Sequence, residues 1–242
     1  MIAGLLMMRV EFRARSASGG KGHAVEGFRF VLRNPPVRAI MLLLGIVSLT
    51  GMPYAVLMPI FADRVLHSGA QGMGVLMGCS GIGALAGALM LASKKGIAGL
   101  GRWVAYGATG FGIFLVLFGF SRHFLASSVI LVGVGFWSIL QMATSNTLIQ
   151  SMAPDELRGR VMAVYSMMFM GMAPLGALGA GVAASAFGAP LAIIVGGLMC
   201  LCAAGVFGWR LRFLRPQARK LILAQQTEGG VPSQEITGER AA

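Results

Sequence analysis

The chain has 242 residues, of which 56% are hydrophobic and only 12% charged, with 20 Lys and Arg against 8 Asp and Glu. Soluble domains carry about 25% charged residues, so this composition excludes a water-soluble domain. The apolar tracts show none of the alternation that barrel strands need over about ten residues, which leaves helices as the spanning structure.

In chain order, residues 1–38 form a cytoplasmic N-terminal segment. Within it, Val25, Phe28, Val31 and Leu32 fall at helical spacing between Glu26, Arg29 and Arg33, and the pattern stops at Asn34-Pro35-Pro36. This predicts a short helix along the membrane surface. A hydrocarbon core of roughly 30 Å takes about 20 helical residues to cross. Residues 39–62, 68–93, 103–121 and 124–153 meet that length. The tract 161–209 is too long for one helix, and Phe187-Gly188-Ala189-Pro190 supplies a turn that divides it into 161–186 and 190–209. The expected fold is an all-α integral membrane protein, a bundle of six transmembrane helices over residues 39–211. A tail at 212–242 follows, basic and then disordered.

Charge placement orients the bundle. With the N-terminus in the cytoplasm, 18 of the 20 Lys and Arg residues fall on the cytoplasmic side and only Arg64 and Arg122 on the other. Cytoplasmic loops carry such an excess, so both termini are expected inside. The net charge of +12 is therefore a topology signal, and no nucleic-acid partner is expected. Cys79, Cys200 and Cys202 all fall in apolar tracts and lack the spacing of a metal or redox motif. No metal site, cofactor or catalytic residue is expected: no zinc, phosphate-loop or nucleophile-elbow pattern occurs.

Two local features stand out. Asp155, Glu156, Arg158 and Arg160 lie within six residues, while His123–Pro154 and Val161–Trp209 contain no Asp, Glu, Lys or Arg. The acidic pair suits a helix N-terminus and the arginines suit cytoplasmic headgroups, so the knot serves either as a topology anchor or as a cytoplasmic gate. In "GMAPLGALGAG", Pro174 removes a helical hydrogen bond while Gly171, Gly176 and Gly179 loosen the backbone. Read one way this is a hinge, and read another it is a close packing surface.

The segments "LRNPPVRAIMLLLGIVSLTGMPYAVLMPIFADRVLHSGAQGMGVLMGCSGIGALAGAL" and "NTLIQSMAPDELRGRVMAVYSMMFMGMAPLGALGAG" resemble the C-terminal half of a major facilitator superfamily transporter. The likeness is to the bacterial secretion-effector branch, which includes enterobactin exporters and macrolide-type efflux permeases, and it covers about residues 24–215. It implies that the spans are helices seven to twelve of a two-half transporter in the bacterial inner membrane. On that analogy "MIAGLLMM" is the end of helix six, and the chain is expected to be a truncated product. The implied activity is efflux of a small amphipathic molecule, a drug or siderophore, by antiport and alternating access. Expected partners are membrane lipid, the small-molecule substrate, and an N-terminal six-helix half or a second copy. A non-transporting six-helix remnant or accessory subunit is the alternative.

No acidic or basic residue lies deep in a span, so any coupling carboxylate is expected elsewhere. On the fourth span Gln141, Thr144 and Ser145 share one face at 100° per residue, and Asn146, Thr147 and Gln150 lie on the opposite one. One set can face a cavity while the other bonds a neighbouring helix. The resemblance places the first and fourth spans around the cavity, which makes Thr50, Tyr54, Gln141, Thr144, Ser145 and Asn146 the candidates for substrate contact. Met58, Phe136, Trp137 and Met142 either complete an apolar pocket or face lipid. The resemblance also favours Asp155, Glu156, Arg158 and Arg160 as charges that pair across the inner face to close the gate.

Overall fold

The computed structural model of the chain describes residues 22–93 and 99–228. The expectations for "MIAGLLMM", for the loop at Lys94 and Lys95, and for the polar tail beyond residue 228 lie outside the described residues. Every regular element among the described residues is helical: α1 Gly22–Arg33, α2 Pro35–Ile46, α3 Tyr54–Arg64, α4 Gly69–Ala92, α5 Leu100–Phe120, α6 Phe124–Met152, α7 Asp155–Phe187 and α8 Ala189–Glu228. Six spans are long and apolar enough to cross a membrane, the first being α2 and α3 together, Pro35–Arg64.

Local chemistry sets the boundaries. α1 ends at Arg33, Asn34 caps α2, and Pro35 and Pro36 occupy the first turn of α2, where a missing N–H costs nothing. Asp155 and Glu156 fill the first turn of α7 and favour the positive end of its dipole. Gly99 starts α5 at φ 79° and Gly188 separates α7 from α8 at φ 87°, both in the left-handed region that glycine tolerates.

The first span is not the continuous helix expected over 39–62. Pro53 has no N–H to offer the carbonyl of Leu49 one turn earlier, and the backbone widens into a π turn at Val47–Gly51 before α3 begins at Tyr54. The Met52 N–H bonds the Val47 carbonyl at 3.1 Å, five residues back, which closes the wide turn.

α4 packs along α6, α7 packs on the first span, and α5 and α8 pack on each other, with α5 also against α6. Second-on-fourth and fifth-on-first is the exchange that two three-helix repeats produce. Because lipid provides no hydrophobic pull between helices, close contact depends on small residues. A Cβ on Gly83 would strike the Val132 carbonyl, and one on Gly135 would strike that of Ser80, so α4 and α6 meet backbone to backbone. Gly87, four residues after Gly83, meets Phe136 O in the same way, whereas Gly74 and Gly78, equally four apart, face open space. Aromatic and long apolar side chains fill the centre, where Phe61 and Phe118 lie 4.4 Å apart.

Two further differences concern the end of the bundle where α1 lies. The last helix does not stop near Trp209 but continues to Glu228, because Leu211 and Leu214 are buried and Ala218, Leu221 and Ile222 extend their stripe against the bundle. α1 packs on the start of α7: Val31 is buried, and a Cβ on Gly27 would lie 2.8 Å from the Arg160 carbonyl.

Candidate functional site

Several of the bundle's uncharged polar groups meet at the break in the first span. Opening the helix frees carbonyls and brings hydroxyls toward neighbouring helices. The Ser48 hydroxyl donates to the Phe169 carbonyl of α7 at 2.5 Å. The Thr50 hydroxyl donates to Ile46 O at 2.8 Å and lies 3.4 Å from Cys200 Sγ of α8. Tyr54 places its phenol 3.2 Å from the Ser80 hydroxyl of α4 and its ring edge-on to Phe111 of α5, at 6.2 Å. Glycine allows two of these approaches: a Cβ on Gly176 would strike Leu49 O, and one on Gly196 would strike Thr50 O. The single π turn thus touches α7 and α8 directly, and with Tyr54 the junction also reaches α4 and α5.

Thr50 and Tyr54 therefore meet at this junction, and their hydroxyls are engaged by other spans. Met58 is fully buried inside the bundle. Phe136 and Trp137 are partly buried and meet edge-on at 5.1 Å, and Met142 takes a 3.1 Å hydrogen bond from the Tyr165 hydroxyl on its carbonyl.

The fourth span divides along the two predicted faces. Gln141, Thr144 and Ser145 are turned into the bundle and closed off from its surface, so they offer nothing to an outside ligand in this conformation. Gln141 donates weakly to Ser145 Oγ at 3.4 Å, its backbone lying against Gly107 of α5, while Gln141 Oε1 and Thr144 Oγ1 have no partner among the described residues. The opposite face turns outward: Gln150 donates to Asn146 Oδ1 at 2.8 Å, and Thr147 bonds the Ala143 carbonyl at 3.0 Å.

The charge knot does not act as one unit. Arg158 pairs with Asp155 within the same turn of α7 at 2.6 Å, with both side chains well exposed. Arg160 instead bonds Glu26 of α1. Glu156 is exposed and forms no ion pair among the described residues. In "GMAPLGALGAG" the helix continues through Pro174, and among its glycines only Gly176 meets a neighbouring span. Gly171 and Gly179 have open space where a Cβ would stand, so Gly179 does not separate two helices of this chain.

Sequence reading missed Ser48, Ser80, Cys200 and Glu26. Pro53 was the available signal for the first three, because a proline in mid-span exposes a carbonyl and draws polar groups to it.

The model of the family described as transmembrane secretion effector matches residues 2–238. The chain belongs to that family. It is thus a multi-pass membrane protein of the major facilitator superfamily, whose members are transporters and not enzymes. Among similar proteins, the MFS-type transporter YfmI of Bacillus subtilis (strain 168) is 23% identical over 82% of this chain and 49% of its own length. The enterobactin exporter EntS of Escherichia coli O139:H28 (strain E24377A / ETEC) is 30% identical over 73% of this chain and 44% of its own length. The chain spans about half the length of the curated relatives it matches. No solved structure matches it.

Proposed function

We propose that this secretion-effector chain acts as the C-terminal half of an exporter. It would move a small amphipathic molecule, a drug or siderophore, out of the cytoplasm by alternating access. The observation that carries the reading is the proline-broken first span, which joins four other spans through hydroxyls, a thiol and glycine-backed carbonyls. Transporters place substrate near the midplane beside discontinuous helices of this kind, and a junction made of uncharged groups suits a substrate recognised by shape and neutral hydrogen bonds. Likeness to an enterobactin exporter supports efflux as the direction.

The remaining surface of the cavity is supplied by a second six-helix half, or by a second copy of this chain. The outward Asn146–Gln150 pair supports this, since amides do not face hydrocarbon without cost and serve better against a partner or an aqueous path. The membrane is the bacterial inner membrane, with both termini cytoplasmic, a reading supported by the distribution of arginine and lysine.

The test is efflux of fluorescent dyes and catecholate siderophores from cells. The chain would be produced alone and together with the N-terminal half of a secretion-effector relative. Efflux only with the added half supports the two-half reading, and efflux by the chain alone supports pairing of two copies. No efflux in either case, with the chain present in the membrane, would leave a non-transporting membrane subunit.

A further inference from the structure

α5 and α8 run antiparallel in one register along the whole of their contact. Gly119 lies against Pro190 and Ile194, Gly112 against Gly197 and Leu201, and Gly101 against Leu211. One step beyond Gly101, this register brings Arg102 level with Arg210 and Arg212. All three arginines are exposed, and none forms an ion pair with a described side chain. Neither α5 nor the stretch of α8 from Ala189 to Thr227 contains an Asp or Glu.

Aromatic side chains stand at the same level. Trp209 and Phe213 are 71% and 70% exposed, and Tyr106 of α5 is also exposed. At about 100° per residue, Trp209 and Phe213 share one face of α8, and Arg210 and Arg212 flank that face by about 80° on either side. Below it toward the membrane, Val206, Cys202, Leu198 and Val195 continue the same face and are exposed. An apolar track therefore ends in an aromatic belt bordered by guanidinium groups. Aromatic rings settle at the headgroup level, and guanidinium forks fit phosphate oxygens in pairs.

We propose that this inner end of the α5–α8 seam is a binding site for an anionic phospholipid. Arg102, Arg210 and Arg212 hold the headgroup phosphate, and Trp209, Phe213 and Tyr106 bracket the top of the acyl chains. The local surplus of positive charge selects an anionic over a zwitterionic headgroup. The exposed apolar track selects a lipid over free phosphate. Lipid retention is measured without transport, so its outcome is separate from that of the efflux test.

The full chain, purified in detergent, is titrated with phosphatidylglycerol and with phosphatidylcholine, and retained lipid is read by native mass spectrometry. The expected result is preferential retention of phosphatidylglycerol, weakened about fivefold for each arginine removed in Arg102→Gln, Arg210→Gln and Arg212→Gln. Arg219→Gln, farther along the same helix, should keep the preference. Should the triple variant fail to insert, the single variants Arg210→Gln and Arg212→Gln, compared with Arg219→Gln, decide the matter. Equal retention of both lipids by the unchanged chain would overturn the proposal. So would an unaltered preference in the Arg210 and Arg212 variants, or displacement of phosphatidylglycerol by inorganic phosphate alone.

Discussion

The carbonyl oxygen of Leu49 is met by Gly176 of α7, one turn before the proline that cannot bond to it. A backbone acceptor in lipid needs a partner, and the Cα–H of a glycine at close approach is a weak donor that only a residue without a side chain can bring so near. The contact also ties the break in the first span to the fifth span, two residues after Pro174. The two prolines therefore weaken the two helices on the same side of the bundle, beside one another.

Replacing Gly176 by Leu should force the first and fifth spans apart and cost about 1–3 kcal/mol, the usual range for overpacking. Gly179→Leu, facing open space in this chain, should leave the melting temperature in detergent close to that of the parent. Equal losses from the two substitutions would mean that the Leu49–Gly176 contact is not a special point of the seam.

Arg160 and Glu26 form an exposed pair, so its direct contribution is small, about 0–1 kcal/mol. Its expected effect is local. Arg160→Glu should loosen α1 from α7 and raise the rate of proteolytic cleavage near residues 22–33. Combining it with Glu26→Arg should restore protection. Arg158→Glu, which breaks only the pair with Asp155 inside α7, should leave α1 protected.

Thr144 Oγ1 is buried without a partner among the described residues, and an unpaired buried polar group costs about 1–3 kcal/mol. Thr144→Val keeps the shape and removes the group, so thermal stability should rise by about 1 kcal/mol. Gln141→Glu would place a carboxyl in the same closed region and should lower stability. A fall in stability with Thr144→Val would show that the hydroxyl is paired in the membrane.

Orientation can be read by cysteine labelling in a background lacking Cys79, Cys200 and Cys202. Ala70 and Ser93 suit the purpose: both are exposed, at opposite ends of α4, and neither has the positive φ of Gly69 or Gly99. Ala70→Cys should react with an impermeant reagent from outside, and Ser93→Cys only after the inner face is opened. Labelling of both from one side would rule out α4 as a span.

The sequence by itself determined that this is a helical membrane bundle, where the helices divide, and which side of the membrane the charges favour. These properties are local: some 20 apolar residues suffice for a span, Gly188 and Pro190 mark a turn, and arginines count wherever they stand. The sequence also separated the two polar faces of α6. Only the tertiary structure decided which of them turns inward, that Gly83 and not Gly74 packs, that Glu26 is the partner of Arg160, and that the first span breaks among Ser48, Thr50 and Cys200. The reason lies in the solvent. Where lipid surrounds a helix that is apolar on every side, no contrast between wet and dry faces records its rotation, so close packing and the pairing of freed carbonyls and hydroxyls set it instead.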